Sequence, residues 1–365
     1  MYIFVTLMVT KLYVLVNILS KNLRKINKFI IVIIVFVLYP IICFSQIENI
    51  DPSENQYRIM FYNVENYFDV NHDSSIAYNE YTPYGELHWT KSKYEKKRNN
   101  IYKVIKAVGG WSPVAIIGLV EVENEFVISD LIDNTPLARE GYKFVHYESN
   151  DFRGIDVALI YRSESFDFLY SEKIVIRDPQ NVDFTTRDIL YVKGLLNKDT
   201  IHVFVNHWTS RYRGYLESEP YRILAAQKLI DITDSICSVN SNANIILMGD
   251  FNDNPENTSM QLVTNTSNCG FENVELLNTN PDVLGTLKYQ SNWSNFDQII
   301  LSNSLFVGAE GIRCSHQGNI FDADYLLETD LKFMGLKTNR TNIGFKYHGG
   351  FSDHLPVYID IISVP

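Results

Sequence analysis

The amino-acid sequence predicts an α+β sandwich rather than a doubly wound parallel sheet. Short apolar runs of the β type outnumber the helical segments, of which only three are clear, so strand and helix do not alternate regularly. The 365 residues are 46% hydrophobic and 13% aromatic, which is enough apolar material for a large buried core. We therefore expect one globular domain over residues 55–365, without an internal boundary.

The first 46 residues differ in composition from the rest of the chain. Lys and Arg cluster between positions 21 and 28, ahead of the apolar run 29–44 and the small residue Ser45. This order is typical of a secretory signal peptide. The run also approaches the ~18 apolar residues at which a membrane span becomes plausible. We expect residues 1–46 to be a signal peptide, giving a periplasmic or secreted protein, or else a retained N-terminal membrane segment that anchors it.

Charge and cysteine content limit the class of protein. The formal net charge is −11 at pH 7, which argues against a protein that coats nucleic acid by counterion release. It does not exclude an enzyme that handles phosphates through a bound metal ion. Cys237, Cys269 and Cys314 are too few for a disulfide scaffold, although one disulfide is compatible with export. No protein partner is indicated, and we expect a monomer.

Hydrophobic patterning places the individual elements. Residues 142–146 should pair with 156–162, and 200–208 should lead through a helix back to strand 244–247. The basic residues of helix 91–108, including Lys97, are expected on its solvent face. Residues 314–350 are polar and irregular, which predicts an insertion or a substrate loop. The predicted strands are 58–66, 114–124, 142–146, 156–162, 200–208, 244–247, 296–301 and 355–362, and the predicted helices are 91–108, 124–137 and 219–237.

Most of these strands end or begin at a carboxylate, an amide or an imidazole. The residues concerned are Asn63, Glu121, His207, Asp250, Asn252, Asp297, Asp353 and His354. Hard oxygen donors without a Cys–His cluster favour Mg²⁺, Mn²⁺ or Ca²⁺ over a structural zinc ion. Two histidines beside carboxylates, without a nucleophilic Ser or Cys motif, indicate water as the nucleophile. A phosphoester is the natural electrophile, because its charge needs a cation.

The motifs around these residues resemble those of a known family. They are Asn63-Val-Glu65-Asn66, Leu119-Val-Glu121-Val-Glu123-Asn124, Asn206-His207-Trp208, Gly249-Asp250-Phe251-Asn252, Phe296-Asp297 and Ser352-Asp353-His354-Leu-Pro356. In this order they resemble the signature blocks of the endonuclease/exonuclease/phosphatase superfamily, over about residues 57–362, and are similar to secreted bacterial members. The resemblance implies a four-layered α/β sandwich of the DNase I type, with two mixed sheets flanked by helices.

The resemblance also implies a metal site and a base. Glu121 resembles the principal metal-binding carboxylate, helped by Asn63 and Asp353. Asp250 resembles the residue that orients and deprotonates water. Asn252 resembles the amide that holds the phosphate or that water.

The two histidines have counterparts in the family as well. His354 resembles the histidine that contacts the scissile phosphate, with Asp297 as its carboxylate partner. His207 resembles the second histidine, a donor to a non-bridging oxygen or to the leaving group. Arg211 and Arg213 are candidates for phosphate binding because they follow His207 closely.

Together these features predict a metal-dependent phosphoesterase that cleaves phosphodiester bonds with activated water. We expect an exported, endonuclease-like enzyme that acts on nucleic acid and uses Mg²⁺, with Mn²⁺ or Ca²⁺ as alternatives. A sphingomyelin-type lipid or an inositol or sugar phosphate is the alternative substrate. An exposed aromatic hairpin would favour lipid, and a basic groove beside Glu121 would favour nucleic acid.

A non-catalytic binding protein on the same fold is the alternative from another class, but Glu121, Asp250 and His354 are all present. Asp253 is expected to be a turn residue.

Overall fold

The computed structural model describes residues 56–71, 80–181, 183–307 and 311–364. The signal-peptide prediction for residues 1–46 lies outside these ranges. Asn55–Pro365 group as one compact unit. In the ranges described, no helix is both long enough and apolar enough to cross a membrane.

Four α-helices and twenty strands occur in this part of the chain. The helices are α1 (Lys91–Gly109), α2 (Glu125–Asp133), α3 (Tyr215–Val239) and α4 (Thr258–Thr266). The strands are β1 (Gln56–Tyr67), β2 (Ile116–Val122), β3 (Tyr142–His146), β4 (Asp156–Arg162), β5 (Phe166–Ile174), β6 (Ile189–Leu196), β7 (Asp199–His207), β8 (Asn244–Asp250), β9 (Phe271–Asn273), β10 (Glu275–Leu277), β11 (Leu287–Tyr289), β12 (Asn292–Ser294), β13 (Asp297–Ser302), β14 (Gly311–Cys314), β15 (Gln317–Ile320), β16 (Leu327–Thr329), β17 (Leu336–Thr338), β18 (Asn342–Ile343), β19 (Lys346–Tyr347) and β20 (Val357–Val364).

Two mixed sheets form the centre of the fold. The first has the strand order β10-β15-β20-β1-β2-β4-β3, with β14 also paired to β20, and the second has the order β5-β6-β7-β8-β13-β9. In the first sheet β1 and β2 are parallel, whereas β20 and β4 run antiparallel to them. In the second sheet β7 and β8 are parallel, and β13 is antiparallel to β8.

The two faces of β8 show how the layers stack. Successive side chains of a strand point to opposite faces. Ile246 and Met248 lie in the core shared with the first sheet. Ile245 and Leu247 pack instead with Leu229 of α3 on the outer face. Helix α1 contributes to the core of the first sheet, so the order is helix, sheet, sheet, helix, as predicted.

A close contact between the sheets depends on a glycine. A Cβ atom on Gly118 of β2 would lie 2.9 Å from Cε of Met248 on β8, so a side chain there would push the sheets apart. This close packing holds the carboxyl ends of β2 and β8 near each other.

The predicted strand pairings are confirmed, but several elements were missed, including the largely buried strand β6. β3 and β4 form an antiparallel pair, and β7-α3-β8 is a parallel unit. The edge strand β5 was missed because most of its residues are exposed and give no buried face. Helix α4 was missed because it is short and rich in Thr and Asn, which are poor helix formers.

The predicted solvent exposure of Lys97 is wrong. Its side chain is buried beneath residues 339–351, and its Nζ donates to the carbonyl oxygen of Phe351 at 2.6 Å and to Oγ1 of Thr341. Residues 314–350 are also less irregular than predicted, because they contain β15 to β19. This segment folds over the amino-terminal half of α1.

The cysteines form one disulfide. Cys237 near the end of α3 is bonded to Cys269, which follows α4, while Cys314 is a buried free thiol. The bond ties together the two helices that cover the outer face of the second sheet.

Candidate active site

The site lies where six strand ends meet. The parallel pairs β1-β2 and β7-β8 end at the same edge of the sandwich, and β13 and β20, which run antiparallel to their neighbours, begin there. Asn63 is in register with Val120, and His207 and Asp297 are both in register with Asp250. The sheet topology therefore brings together side chains that are far apart in sequence.

A bulge in β2 aims Glu121 into the site. The register with β4 shifts between Val120 and Val122, and Glu121 has a φ of 63°, which is uncommon for a residue other than glycine. Its Oε2 accepts a hydrogen bond from the Asn66 amide at 2.9 Å, and its Oε1 accepts one from Nδ2 of Asn63 at 3.3 Å. Backbone strain of this kind concentrates at functional sites.

Asp250 is a buried carboxylate held by hydrogen bonds on both oxygens. Nδ2 of Asn63 donates to its Oδ2 at 3.0 Å, and the Asn252 amide donates to its Oδ1 at 3.0 Å. Burial raises the pKa of Asp250 to about 6, although His354 opposes this shift. At neutral pH the group is ionised, yet it is more basic than an ordinary aspartate.

His354 lies between two carboxylates. Its Nδ1 is 2.7 Å from Oδ2 of Asp297, and its Nε2 is 3.7 Å from Oδ2 of Asp250. Burial alone would lower the pKa of His354, but the charges of Asp297 and Asp250 raise it well above 6.5. The imidazole is therefore protonated at neutral pH, and its Nε2 is a hydrogen-bond donor.

His207 occupies the opposite side of the site and has the opposite character. Its Nε2 is 3.8 Å from both Oε1 of Glu121 and Oδ2 of Asp250. Burial, together with the nearby charges of Arg187 and Arg153, lowers the pKa of His207 well below 6.5. The site therefore combines one charged and one neutral imidazole.

Asp353, predicted to help bind the metal, contacts an arginine that the motifs did not indicate. Its Oδ2 is 2.9 Å from Nη2 of Arg340, which also lies 2.9 Å from Oε1 of Glu65. Burial would raise the pKa of Asp353, but Arg340, His354 and Lys97 lower it below the usual value. The only sequence signal for Arg340 was its place in the predicted substrate loop.

Asn63, predicted to help bind the metal, lies between the two central carboxylates. Its Nδ2 faces the carboxylates of Glu121 and Asp250, and its Oδ1 accepts a hydrogen bond from the Glu65 amide at 3.0 Å. The amide thus holds two carboxylates together, and its oxygen is already occupied.

Arg211, a predicted phosphate ligand, is held by the protein itself. Its Nη2 donates to Oδ1 of Asp253 at 2.6 Å, and its Nε donates to the Asn252 carbonyl oxygen at 2.7 Å. Asp253 lies in a bend, as predicted, and is also a fully buried ion-pair partner, because Nε of Arg222 is 2.8 Å from its second oxygen. The side chain of Arg213 lies outside what the structure describes.

The donor set fits a hard divalent cation. Glu121, Asp250 and Asp297 supply carboxylate oxygens, and ligand atoms of Asp250, Asp297 and His354 all lie within 4.8 Å of one another. Oδ1 of Asp297 is buried without a hydrogen-bond partner among the described residues. Buried, unsatisfied carboxylate oxygens are costly unless they bind a cation or an ordered water.

A comparison of the sequence with known protein families identifies the family of this chain. Residues 58–363 match the Endonuclease/Exonuclease/phosphatase family. The chain belongs to this family. Endonuclease/exonuclease/phosphatase enzymes hydrolyse phosphoester bonds with the help of a metal ion, so this protein is a metal-dependent phosphoester hydrolase. No curated protein matches the chain by sequence.

Solved structures share the family fold. The human nocturnin catalytic domain with bound sulfate is 16% identical, with a TM-score of 0.52 over 85% of this chain and 95% of that chain. The Bacteroides thetaiotaomicron mannosyl-6-phosphatase is 15% identical, with a TM-score of 0.53 over 84% and 99%. A truncated Caenorhabditis elegans TDP2 is 15% identical, with a TM-score of 0.51 over 86% and 100%. At these identities the likeness extends to the fold alone.

Proposed function

We propose that the protein is an exported phosphodiesterase that cleaves nucleic acid. The observation that carries the choice of substrate is a basic surface beside the site, called here the basic lobe. It consists of residues 331–349, which contain Lys332, Lys337, Arg340 and Lys346 and no Asp or Glu, together with Lys93 and Lys96 of α1. Within it, Lys337 is paired with Glu328, and Arg340 is paired with Glu65 and Asp353, so Lys93, Lys96, Lys332 and Lys346 supply the remaining positive charge. On a chain with a net charge of −11, this concentration of cations supports an anionic polymer as substrate.

Contacts along the lobe connect it to the catalytic carboxylates. Nζ of Lys93 lies 4.7 Å from the centroid of the Tyr347 ring, and the Asn339 carbonyl oxygen accepts a hydrogen bond from Phe351 at 2.6 Å. From Phe351 the chain enters Ser352-Asp353-His354 directly. Phosphates that flank the scissile bond can therefore contact the lobe.

In the proposed mechanism Asp250 takes a proton from the attacking water. A base with a pKa near 6 is ionised at pH 7 and is still basic enough to assist the transfer. Protonated His354, held by Asp297, donates from Nε2 to a phosphate oxygen. As the water oxygen bonds to phosphorus, the P–O bond to the leaving alcohol breaks and the leaving oxygen takes up a proton from solvent, with neutral His207 as a hydrogen-bonding group on the opposite side. A divalent cation held by Glu121 and neighbouring carboxylates would supply the charge that neutralises the phosphate.

Charge around the site supports a diester over a monoester. The carboxylates of the site outnumber its cations by one; the two sets are Glu65, Glu121, Asp151, Asp250, Asp297 and Asp353 on one side and Lys97, Arg153, Arg187, Arg340 and His354 on the other. Even with a divalent cation bound, little positive charge is left for the second negative charge of a monoester. A singly charged diester therefore binds with less electrostatic repulsion.

A phospholipid diester is the second candidate, and one observation favours it. The β18-β19 hairpin, part of the basic lobe, has Phe345 at its tip with 64% of its surface exposed and Ile343 beside it with 44% exposed. Exposed apolar side chains beside lysines are suited to the interface of an anionic membrane.

The Cys237–Cys269 disulfide supports export, because disulfides persist in oxidising compartments. In an expressing bacterial cell, we expect the protein in the periplasm or medium with a new amino terminus near residue 46 and one titratable thiol. Full-length protein recovered from the cytoplasm with three titratable thiols beyond the N-terminal segment would contradict export.

The substrate test offers plasmid DNA, RNA, sphingomyelin vesicles and inositol phosphates to the purified protein with Mg²⁺ or Mn²⁺. An EDTA sample and the double variant Asp250→Ala, His354→Ala serve as inactive controls. We expect metal-dependent cleavage of nucleic acid that is weakened by Lys96→Gln combined with Lys346→Gln and not by Phe345→Ser. Cleavage of lipid alone, weakened by Phe345→Ser, would contradict nucleic acid as the substrate and would support a phospholipid instead.

A further inference from the structure

Arg340 is anchored on one side by two carboxylates. Its Nε donates to Oε1 of Glu65 at 3.0 Å, and its Nη2 lies 2.9 Å from Oε1 of Glu65 and 2.9 Å from Oδ2 of Asp353. The Glu65 side chain is only 2% exposed. The neighbouring Thr341 amide donates to the other oxygen of Glu65 at 2.6 Å, so the backbone at this position is fixed as well.

The other side of the guanidinium is open. Among the described residues, Nη1 of Arg340 has no hydrogen-bond partner, and 41% of the side chain is exposed. Two other cations near Glu121, Lys97 and Arg187, are not available in this way. Lys97 is buried under Phe351, and Arg187 is buried with its two terminal nitrogens on Asp151 and the Trp208 carbonyl.

Arg340 also lies at the reacting centre rather than at its periphery. Its partner Asp353 directly precedes His354, and its other partner Glu65 follows Asn63, which contacts both Glu121 and Asp250. The charge of Glu121, like those of Asp353 and Glu65, raises the pKa of Arg340, so the guanidinium lies within electrostatic range of the predicted metal-binding carboxylate. An arginine held in one orientation loses little conformational freedom when it binds an oxyanion.

We propose that Arg340 binds a non-bridging oxygen of the substrate phosphate through Nη1, and that Asp353 and Glu65 position this arginine. This inference rests on the proposed function, since it assumes a phosphodiester in the site. Because two carboxylates already face the guanidinium, the cluster favours a phosphate with one negative charge over one with two.

The first test uses a small diester, bis(4-nitrophenyl) phosphate, with Mn²⁺. Loss of one charge-assisted hydrogen bond in Arg340→Gln should raise KM about 10- to 100-fold and change kcat less. Arg340→Lys, which keeps the charge, should recover part of the loss. The control Lys143→Gln removes an exposed lysine of the edge strand β3, outside the site and the basic lobe, and should change KM for this small substrate less than twofold. An unchanged KM in Arg340→Gln would overturn the inference.

The second test separates positioning from metal binding and does not need turnover. In Asp353→Asn, the affinity for Mn²⁺ measured by titration calorimetry should stay within about threefold of the wild type, while inorganic phosphate binds about tenfold more weakly, as in Arg340→Gln. If Asp353 were instead a metal ligand, Mn²⁺ affinity would fall by at least tenfold and phosphate affinity would follow it.

These tests are independent of the nucleic-acid assignment. Cleavage of the small diester without cleavage of DNA or RNA would contradict the proposed substrate and leave the role of Arg340 intact. If the wild-type protein cleaves neither, phosphate binding by the wild type and by Arg340→Gln still decides the inference. Equal phosphate affinity in the two proteins would reject it.

Discussion

Two buried aspartates three residues apart have opposite surroundings. Asp250 ends β8 and faces the site, where its oxygens accept hydrogen bonds from neutral amides and its pKa is raised to about 6 by burial. Asp253 lies in the following turn, where Nη2 of Arg211 and Nε of Arg222 are 2.6 and 2.8 Å from its oxygens. Asp250 has no bonded arginine among the described residues, whereas Asp253 is bonded to two arginines.

The difference indicates that Asp250 is available for catalysis, whereas Asp253 has a structural role. A buried carboxylate without a bonded cation destabilises the fold but remains reactive. A carboxylate bonded to two arginines is stabilised where it is and is unavailable to a substrate. Burial alone therefore does not distinguish the two roles, whereas the bonded partners do.

The largest expected effect is on catalysis at Asp250. Asp250→Asn should lower kcat by about 10³-fold, because it removes the base. The same variant, free of metal, should be more stable than the wild type at pH 7. Urea unfolding monitored by tryptophan fluorescence, together with a steady-state assay, measures both. A variant that is both less active and less stable would show that Asp250 is mainly structural.

The sign of that stability change depends on pH. The folded pKa of Asp250, about 6, is above its ordinary value of 3.8, so the folded state binds the proton more tightly than the unfolded state. Its contribution to stability is present below about pH 4 and is lost as the pH rises through 6, up to about 3 kcal/mol. The free energy of unfolding of the wild type should therefore fall relative to Asp250→Asn across this interval.

The next effect concerns stability at Asp253. Asp253→Asn should lower the free energy of unfolding by about 3 kcal/mol, because it leaves the fully buried Arg222 without its partner. The kcat of the folded fraction should change less than about twofold if this ion pair is structural. A large loss of kcat with unchanged stability would place Asp253 in the catalytic machinery.

A smaller effect comes from removing both charges of that pair. Arg222→Met with Asp253→Leu replaces the ion pair with apolar side chains, which is often close to neutral. We expect the double variant to unfold within about 1 kcal/mol of the wild type, closer than either single variant. Additive losses in a urea-unfolding cycle would mean that the two residues do not act as a pair.

The smallest effect extends the comparison to the two histidines. In nuclear magnetic resonance titrations of metal-free protein, His354 should be protonated at pH 7 and His207 neutral, because the charges of Asp297 and Asp250 raise the pKa of the first, whereas burial and the charges of Arg187 and Arg153 lower that of the second. Asp297→Asn should lower the pKa of His354 and leave that of His207 within a few tenths of a unit. Equal titration of the two histidines would remove the proposed division of roles.

Much of the fold was predictable because its main signal is local. The alternation of apolar residues located β1, β7 and β8, and the motifs at their ends predicted which edge carries the polar side chains. Arg340 was not predictable in this way, since it contacts Glu65 across 275 residues of sequence. Lys97 has a helix position that periodicity assigns to solvent, and only the packing of residues 339–351 buries it.

The ion pairs of Asp253 could not be predicted for a similar reason. Asn-Asp-Asn-Pro has the composition of a turn, and the chain does turn there. The arginine that binds Asp253 from inside the protein lies on α3, in a different element, and no pattern within the turn indicates it. Local sequence predicts the shape of the backbone, whereas the partners of a buried charge depend on tertiary structure.

The positive φ at Glu121 has opposite consequences for folding and for catalysis. With a φ of 63°, this position suits glycine better than any residue that has a Cβ atom. A library of variants sorted only for soluble expression should therefore enrich glycine at 121. The same library sorted for phosphoester cleavage should keep glutamate. The residue found at position 121 therefore shows whether a set of variants was selected for folding or for activity.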